Sequence, residues 1–278
     1  MVERDGASAS TPTPAAPTSS GLWCAPPKSL QLCADEVHVW RATLDLPPEL
    51  LTEMRALLAP EENVQARRFL LPEHRRRFLA RRGIRRDILS RYLRVAPEIL
   101  KEELSPFGKP YLAPPFSASG LTFNASNSGV FALYAIALRR QLGVDIERVR
   151  HIPDAISIAR GYFAPTEWQV LQRCPSSQRD TAFFRCWTAK EAYVKALGLG
   201  LSLPLDSFAV EFGPDQHAPR LAGQDGSLGA SAGWHVQRLD PGQGYAGALV
   251  IEGTGLKISF WDWRVSPDRH FTARVSHR

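Results

Sequence analysis

The chain is short of the residues that hold metals through sulfur or build covalent frameworks. Its 278 residues include only four cysteines, Cys24, Cys33, Cys174 and Cys186, with no C-x-x-C pair and no Cys/His ligand spacing. That excludes a zinc ribbon or a disulfide-stapled domain and fits a reduced compartment. No stretch approaches the roughly eighteen apolar residues of a membrane-spanning helix, so no membrane partner is expected. No apolar segment follows a basic start at the amino terminus, so a secretory signal is not expected and a cytoplasmic protein is. Ser8 to Gly21 is almost entirely Ser, Thr, Pro, Ala and Gly. Such a composition buries too little apolar surface to offset the entropy of ordering, which predicts a disordered tail over residues 1–35.

The remainder of the chain is long enough to bury a large core yet longer than a usual single domain, so a two-lobed body is expected. Val37 to Ala42 alternates as a first strand, Gly223 to Gly233 reads as a glycine-rich loop, and the body ends near Trp263. The residues after it, 265–278, read as a basic tail in which Phe271 to Val275 forms an edge strand. A weak internal repeat runs through the body. Leu58-Ala59-Pro60-Glu61-Glu62 is matched 105 residues on by Phe163-Ala164-Pro165-Thr166-Glu167, and Gly129 to Ile136 is echoed by Gly244 to Ile251. Two copies of one helix-and-strand unit would make a pseudo-twofold body.

Charge is unevenly placed. Eleven arginines fall between residues 67 and 94, against Glu73 and Asp87, a local excess of nine positive charges in a chain of formal net charge +6. A run of this kind suits a polyanion, and nucleic acid competes with a phosphorylated small molecule for it. No DNA- or RNA-binding motif accompanies the run, so nucleic acid is not expected as a partner.

The most informative stretch is Trp187-Thr188-Ala189-Lys190-Glu191-Ala192-Tyr193-Val194-Lys195. As a helix it lines up Trp187, Glu191 and Lys195 at four-residue intervals, a metal-ready carboxylate beside a phosphate-ready ammonium. Lys190 falls 100 degrees away, off that face, and Trp187 is expected to pack the helix against the lobe interface. Upstream, Gly143-Val144-Asp145-Ile146-Glu147 reads as the end of an apolar strand that turns Asp145 and Glu147 to one side and Val144 and Ile146 to the core. Taken singly, a Glu/Lys pair on a helix is usually a solvated surface pair. Together, three carboxylates and a lysine suit one divalent ion and one phosphate.

Asp145-x-Glu147 followed by Trp187-x-x-Lys190-Glu191-x-x-x-Lys195 resembles the signature motifs of the 4'-phosphopantetheinyl transferases, in particular the surfactin-type, two-lobed class. Three further blocks match in order: Phe107-Gly108-Lys109-Pro110, the segment Phe123 to Gly129, and Gly198 to Phe208, so that the resemblance covers most of residues 60–212. It implies an α+β fold of two similar lobes, each a small mostly antiparallel sheet packed with helices, over residues 36–140 and 141–264, and a monomer. It implies transfer of 4'-phosphopantetheine from coenzyme A to a serine of an apo acyl or peptidyl carrier protein, leaving adenosine 3',5'-bisphosphate. Fatty-acid, polyketide, nonribosomal-peptide and aminoadipate-reductase carriers are all open. Mg²⁺ would be held by Asp145, Glu147 and Glu191, with Lys195 on the phosphates, and the serine proton would pass to Glu191 or to a metal-bound water polarised by Glu147. Gly108 and Lys109 would lie along the adenine and 3'-phosphate, Ser126 and Ser128 would bond phosphate oxygens, and Arg77 and Arg82 would take the 3'-phosphate. Asn127 stands where the family has a histidine, keeping a hydrogen-bonding side chain without positive charge.

Overall fold

The computed structural model describes residues 23–212, 219–223 and 233–265. In the first lobe, β1 (Glu36–Thr43) leads into three helices, α1 (Pro48–Ala56), α2 (Pro60–Ala66) and α3 (Pro72–Leu93), then a small hairpin of β2 (Glu102–Leu104) and β3 (Pro110–Leu112), and then β4 (Leu121–Ser128) and β5 (Phe131–Leu138). The second lobe runs from β6 (Leu142–Arg148) through α4 (Ala155–Tyr162), α5 (Pro165–Arg173) and α6 (Ser176–Leu197) to β7 (Phe208–Glu211), β8 (Arg220–Gly223), β9 (Trp234–Leu239) and β10 (Tyr245–Glu252), and the last strand is β11 (Lys257–Asp262).

The repeat in the sequence is a repeat in space. Strand order β1-β5-β4 in one sheet is matched by β6-β10-β9 in the other, antiparallel throughout, and each sheet has its own 22-residue helix, α3 or α6. The matched A-P-x-x-E motifs are the starts of α2 and α5. Glu62 caps its helix by accepting the Ala59 backbone N–H (3.1 Å) and Glu167 does the same with Ala164 (2.8 Å). Each glutamate also grips a cation of its lobe's long helix, Glu62 with Arg86 and Glu167 with Lys190, both at 2.6 Å. The fold is therefore α+β, two-lobed and pseudo-twofold.

Alternation decides how the sheets pack. In β1 and β5, Trp40, Ala42, Ala132, Tyr134 and Ile136 face α3, while Val37, Val39, Leu133, Ala135 and Ala137 join Leu142, Val144, Ile146, Leu249 and Ile251 of the second sheet in a shared inter-lobe core. The outer face of the second sheet is covered by Ala189, Ala192, Val194 and Ala196 of α6.

Two sequence expectations need correction. The tail does not extend to residue 35: Cys24 exchanges backbone hydrogen bonds with Phe260 and Asp262, Trp23 sets its ring edge-on against Phe260, and Leu30 and Leu32 pack on the first core. Trp23, Leu30 and Leu32 give residues 23–35 apolar side chains that pack against the body. Nor is 141–264 a contiguous lobe, because β11 returns to the first sheet and pairs parallel with β1, Val39 opposite Phe260. Residues 1–22, most of the glycine-rich segment (224–232) and the tail with Phe271 to Val275 lie outside the described residues. Among the described residues no helix is long and apolar enough to cross a membrane.

Candidate active site

The lobes meet where β4 runs alongside β6, and the polar residues at every second position of β4 stitch the two together. The Asn124 side-chain oxygen accepts the Val144 N–H (2.9 Å), the Ser126 hydroxyl donates to Asp145 Oδ1 (2.7 Å), and the Ser128 hydroxyl donates to Glu147 Oε2 (2.7 Å) while accepting the Arg148 N–H (3.0 Å). On the other side of β6 lies α6, close enough that a Cβ on Gly143 would stand 2.0 Å from the Ala192 carbonyl oxygen. This approach brings the Glu191/Lys195 face of the helix to the Asp145/Glu147 side of the strand. Lys195 Nζ donates to Asp145 Oδ1 (2.5 Å) and to the Ser126 hydroxyl (3.0 Å).

Electrostatically the cluster is short of positive charge. Asp145 is 3% exposed, and its Oδ2 is buried without a hydrogen-bond partner among the described residues. Burial, and then the Asp145 charge, push the Glu191 carboxyl above its ordinary range, and Glu147 adds to this. Glu147 is raised by burial first and by Asp145 after it, against the Ser128 hydrogen bond. An orphaned buried oxygen and two carboxylates with raised proton affinity fit a hard, oxygen-seeking cation such as Mg²⁺. As they are placed, with Lys195 on Asp145, no three His, Cys, Asp or Glu side chains among the described residues stand close enough together to hold an ion.

Beside this cluster lies a cavity of about 300 Å³ lined by Phe69, His74, Arg77, Phe78, Arg81, Asn127, Ser128 and Gly129. Ser128 thus belongs both to the cavity and to the Glu147 contact. Arg81 Nη1 donates to the Asn127 side-chain oxygen (2.7 Å), so asparagine in this position holds a guanidinium through its carbonyl. Burial lowers the pKa of Arg81. Arg81 was not singled out in the sequence, although His74, Arg77, Phe78 and Arg81 lie at i, i+3, i+4 and i+7 and so on one face of α3.

The structure brings together Asp145, Glu147, Glu191, Lys195, Ser126 and Ser128, with Asn127 and Arg77 at the adjoining cavity. Arg77 is held by Asp45 (2.7 Å) and Glu73 (2.6 Å). Arg82 is turned elsewhere: its guanidinium is 3.6 Å from Glu62 and 3.9 Å from Glu102, and burial lowers it to about 10. Gly108, at φ 82°, forms the turn before Lys109. The Lys109 ammonium donates to the Leu142 (3.0 Å) and Ala196 (2.9 Å) carbonyls, with burial lowering it to about 8. Here it braces the start of β6 against the end of α6, beside a second cavity of about 460 Å³. Lys190 is off the site as expected, fully buried with Glu167 and the Phe208 carbonyl. Trp187 packs inside the second lobe, stacked on Phe183 near Phe163, rather than against the lobe interface.

Residues 141–250 match the model of the 4'-phosphopantetheinyl transferase superfamily. Over 241 residues the chain is 39% identical to the 4'-phosphopantetheinyl transferase HetI of Nostoc sp. (strain PCC 7120), an alignment covering 87% of this chain and 98% of that protein. It is 30% identical over 173 residues to the 4'-phosphopantetheinyl transferase Sfp of Bacillus subtilis (strain 168), covering 59% of this chain and 75% of that protein. With a phosphopantetheinyl transferase of Thraustochytrium sp. it shares 27% identity over 230 residues, 77% of this chain and 76% of that protein.

Proposed function

The chain belongs to the 4'-phosphopantetheinyl transferase superfamily and is a transferase, and from that premise we propose that it moves 4'-phosphopantetheine from coenzyme A to a serine of an apo carrier protein. The observation that carries the proposal is the meeting of Asp145 and Glu147 on β6 with Glu191 and Lys195 on α6, beside an arginine-walled cavity.

In this reading the cavity takes the 3'-phosphate, with Arg81 as its chief cation, Asn127 orienting that guanidinium, and Arg77 at its wall. Ser126 and Ser128 present hydroxyls to the pyrophosphate from the inter-lobe strand. Lys195, already directed at the seam, turns from Asp145 to the phosphoryl oxygens, where its charge counts most as negative charge gathers. Asp145, Glu147 and Glu191 would hold Mg²⁺, which when bound would supply charge neutralisation to the pyrophosphate. Glu191 takes the proton of the carrier serine, because it stands on the Lys195 face of α6 and no protein hydrogen bond or ion pair occupies its carboxylate among the described residues. The serine oxygen bonds to the β-phosphorus of coenzyme A, the bond from that phosphorus to the bridging oxygen breaks, and 3',5'-ADP leaves with its electron pair.

Incubation with coenzyme A, Mg²⁺ and a panel of apo carriers, followed by weighing the products, is the test. One carrier at least is expected to gain a single phosphopantetheinyl group, with 3',5'-ADP formed in equal amount. Unchanged masses across acyl and peptidyl carriers, with the protein folded, would overturn the reading.

A further inference from the structure

Nine of the eleven arginines between residues 67 and 94 fall into two populations. Arg77, Arg82, Arg85, Arg86 and Arg91 are matched by acids of the same lobe, namely Asp45, Glu73, Glu62, Glu102 and Asp87. Arg67, Arg68, Arg75 and Arg76 have no acidic group within 4 Å among the described residues, and all but the half-exposed Arg75 lie open to solvent. Between those two pairs stands the turn from α2 to α3, where Leu70 is 96% and Leu71 57% exposed, flanked by Phe69 at 36%. An apolar patch ringed by cations that make no salt bridge among the described residues is not what a solvated helix start needs.

The turn is built to hold these leucines outward. Phe69 sets its ring 5.1 Å from that of Phe78, Arg68 donates its N–H to the Gln65 carbonyl (3.1 Å), and the Leu71 carbonyl accepts the Arg75 N–H (3.1 Å). Phe69 also lines the cavity that contains Arg81 and Ser128, and Ser128 bonds Glu147. The patch is therefore the lip of the candidate active site.

We propose that the turn Phe69–Leu71, with Arg67, Arg68, Arg75 and Arg76 around it, is the docking surface for the acidic face of the carrier protein, one or two apolar side chains of which cover Leu70 and Leu71. The proposal rests on the carrier reading given above. Four guanidinium groups with no carboxylate within 4 Å among the described residues select an acidic partner and steer it over about a Debye length, 8–10 Å at physiological salt. The leucines supply the contact that survives screening. A carrier fits this place better than an anionic bilayer, because the partner has to deliver a hydroxyl into the seam beyond the lip, which a flat surface does not.

The test uses the full chain with the apo carrier it modifies best. Leu70→Asp is expected to raise the KM for the carrier about tenfold at all salt concentrations. Arg68→Glu with Arg75→Glu is expected to raise it at low salt and to matter little at high salt. Turnover at saturating carrier, the KM for coenzyme A and the melting temperature should stay near those of the parent chain. An unchanged carrier KM would overturn the proposal. So would a rise confined to the coenzyme A KM, which would make the turn part of the nucleotide site. Leu70-dependent binding to phosphatidylserine vesicles with unaltered carrier kinetics would assign the patch to a membrane instead. If no carrier is modified by the parent chain, the proposed function fails on its own, and calorimetric titration with apo carrier still decides the docking surface. Binding lost in Leu70→Asp supports it; binding that is absent or insensitive to the substitution overturns it.

Discussion

Glu191 carries more negative surroundings than a lone side chain on a helix face would meet. Its carboxyl is raised by burial and by the charges of Asp145 and Glu147, so protonating it favours the fold. That contribution is present below the ordinary carboxylate range and is lost as pH rises through the raised value. Without a divalent cation, Glu191→Gln should therefore raise the melting temperature at pH 8 by about 1–3 °C, with a gain that shrinks towards pH 5 and with turnover lost at every pH. Calorimetric scans across that range, showing no gain at pH 8, would contradict the electrostatics of the site. Neighbouring arginines separate just as sharply. Arg81 faces the cavity and Arg82 faces Glu62 and Glu102. Arg81→Ala should raise the KM for coenzyme A tenfold or more, since a charge-assisted bond to a phosphate contributes about 1.5–3 kcal/mol. Arg82→Ala should leave that KM almost unchanged, a contrast that steady-state kinetics on the two variants reads directly. The sequence reading assigned Arg82 and not Arg81 to the phosphate, because the choice depends on the rotation of α3. That helix has eight consecutive buried residues, Gly83 to Ser90, and so no apolar stripe to orient it.

At the scale of elements, the chemistry depends on how closely α6 lies on β6. Gly143 permits the contact, for any side chain there would enter the backbone of α6 at Ala192 and Ala196. Gly143→Ala should lift the helix, withdraw Lys195 and Glu191 from Asp145, lower turnover at least tenfold and cost about 1–3 kcal/mol of stability. Urea titration together with kinetics on the surviving folded protein checks both. A variant with full turnover would show that the spacing of these elements is not critical. Both elements were legible in the sequence, because a D-x-E alternation and an i, i+4 row each state a direction in space without reference to anything distant. The contacts of Lys109 were not. A glycine-lysine-proline turn specifies where the backbone reverses, but the carbonyls of Leu142 and Ala196 that receive its ammonium belong to elements 33 and 87 residues away.

The whole molecule is less divisible than its repeat suggests. β11 crosses back to β1, residues 23–32 close over that added strand and the adjoining core, and the core between the sheets draws on both lobes. Non-local returns of this kind leave little local pattern, which is why the lobe limits implied by the resemblance put β11 with the second lobe. The outline of two α+β lobes was nevertheless readable, because the family resemblance implied it and the matched helix starts agreed with it. Pairings of this sort also make the lobes poor candidates for independent folding units, since either one alone would expose its half of the shared core. The Asn124 side chain is a sensitive point of the seam: it is 4% exposed and its oxygen accepts the Val144 N–H. Asn124→Ala leaves that buried donor unmatched and should cost about 1–3 kcal/mol. If the lobes fold as one unit, tryptophan fluorescence and far-ultraviolet circular dichroism should shift together to lower urea in this variant, each as a single transition with an unchanged slope. Two separated transitions, with only one of them moved, would instead mean that each sheet and its long helix can stand without the other.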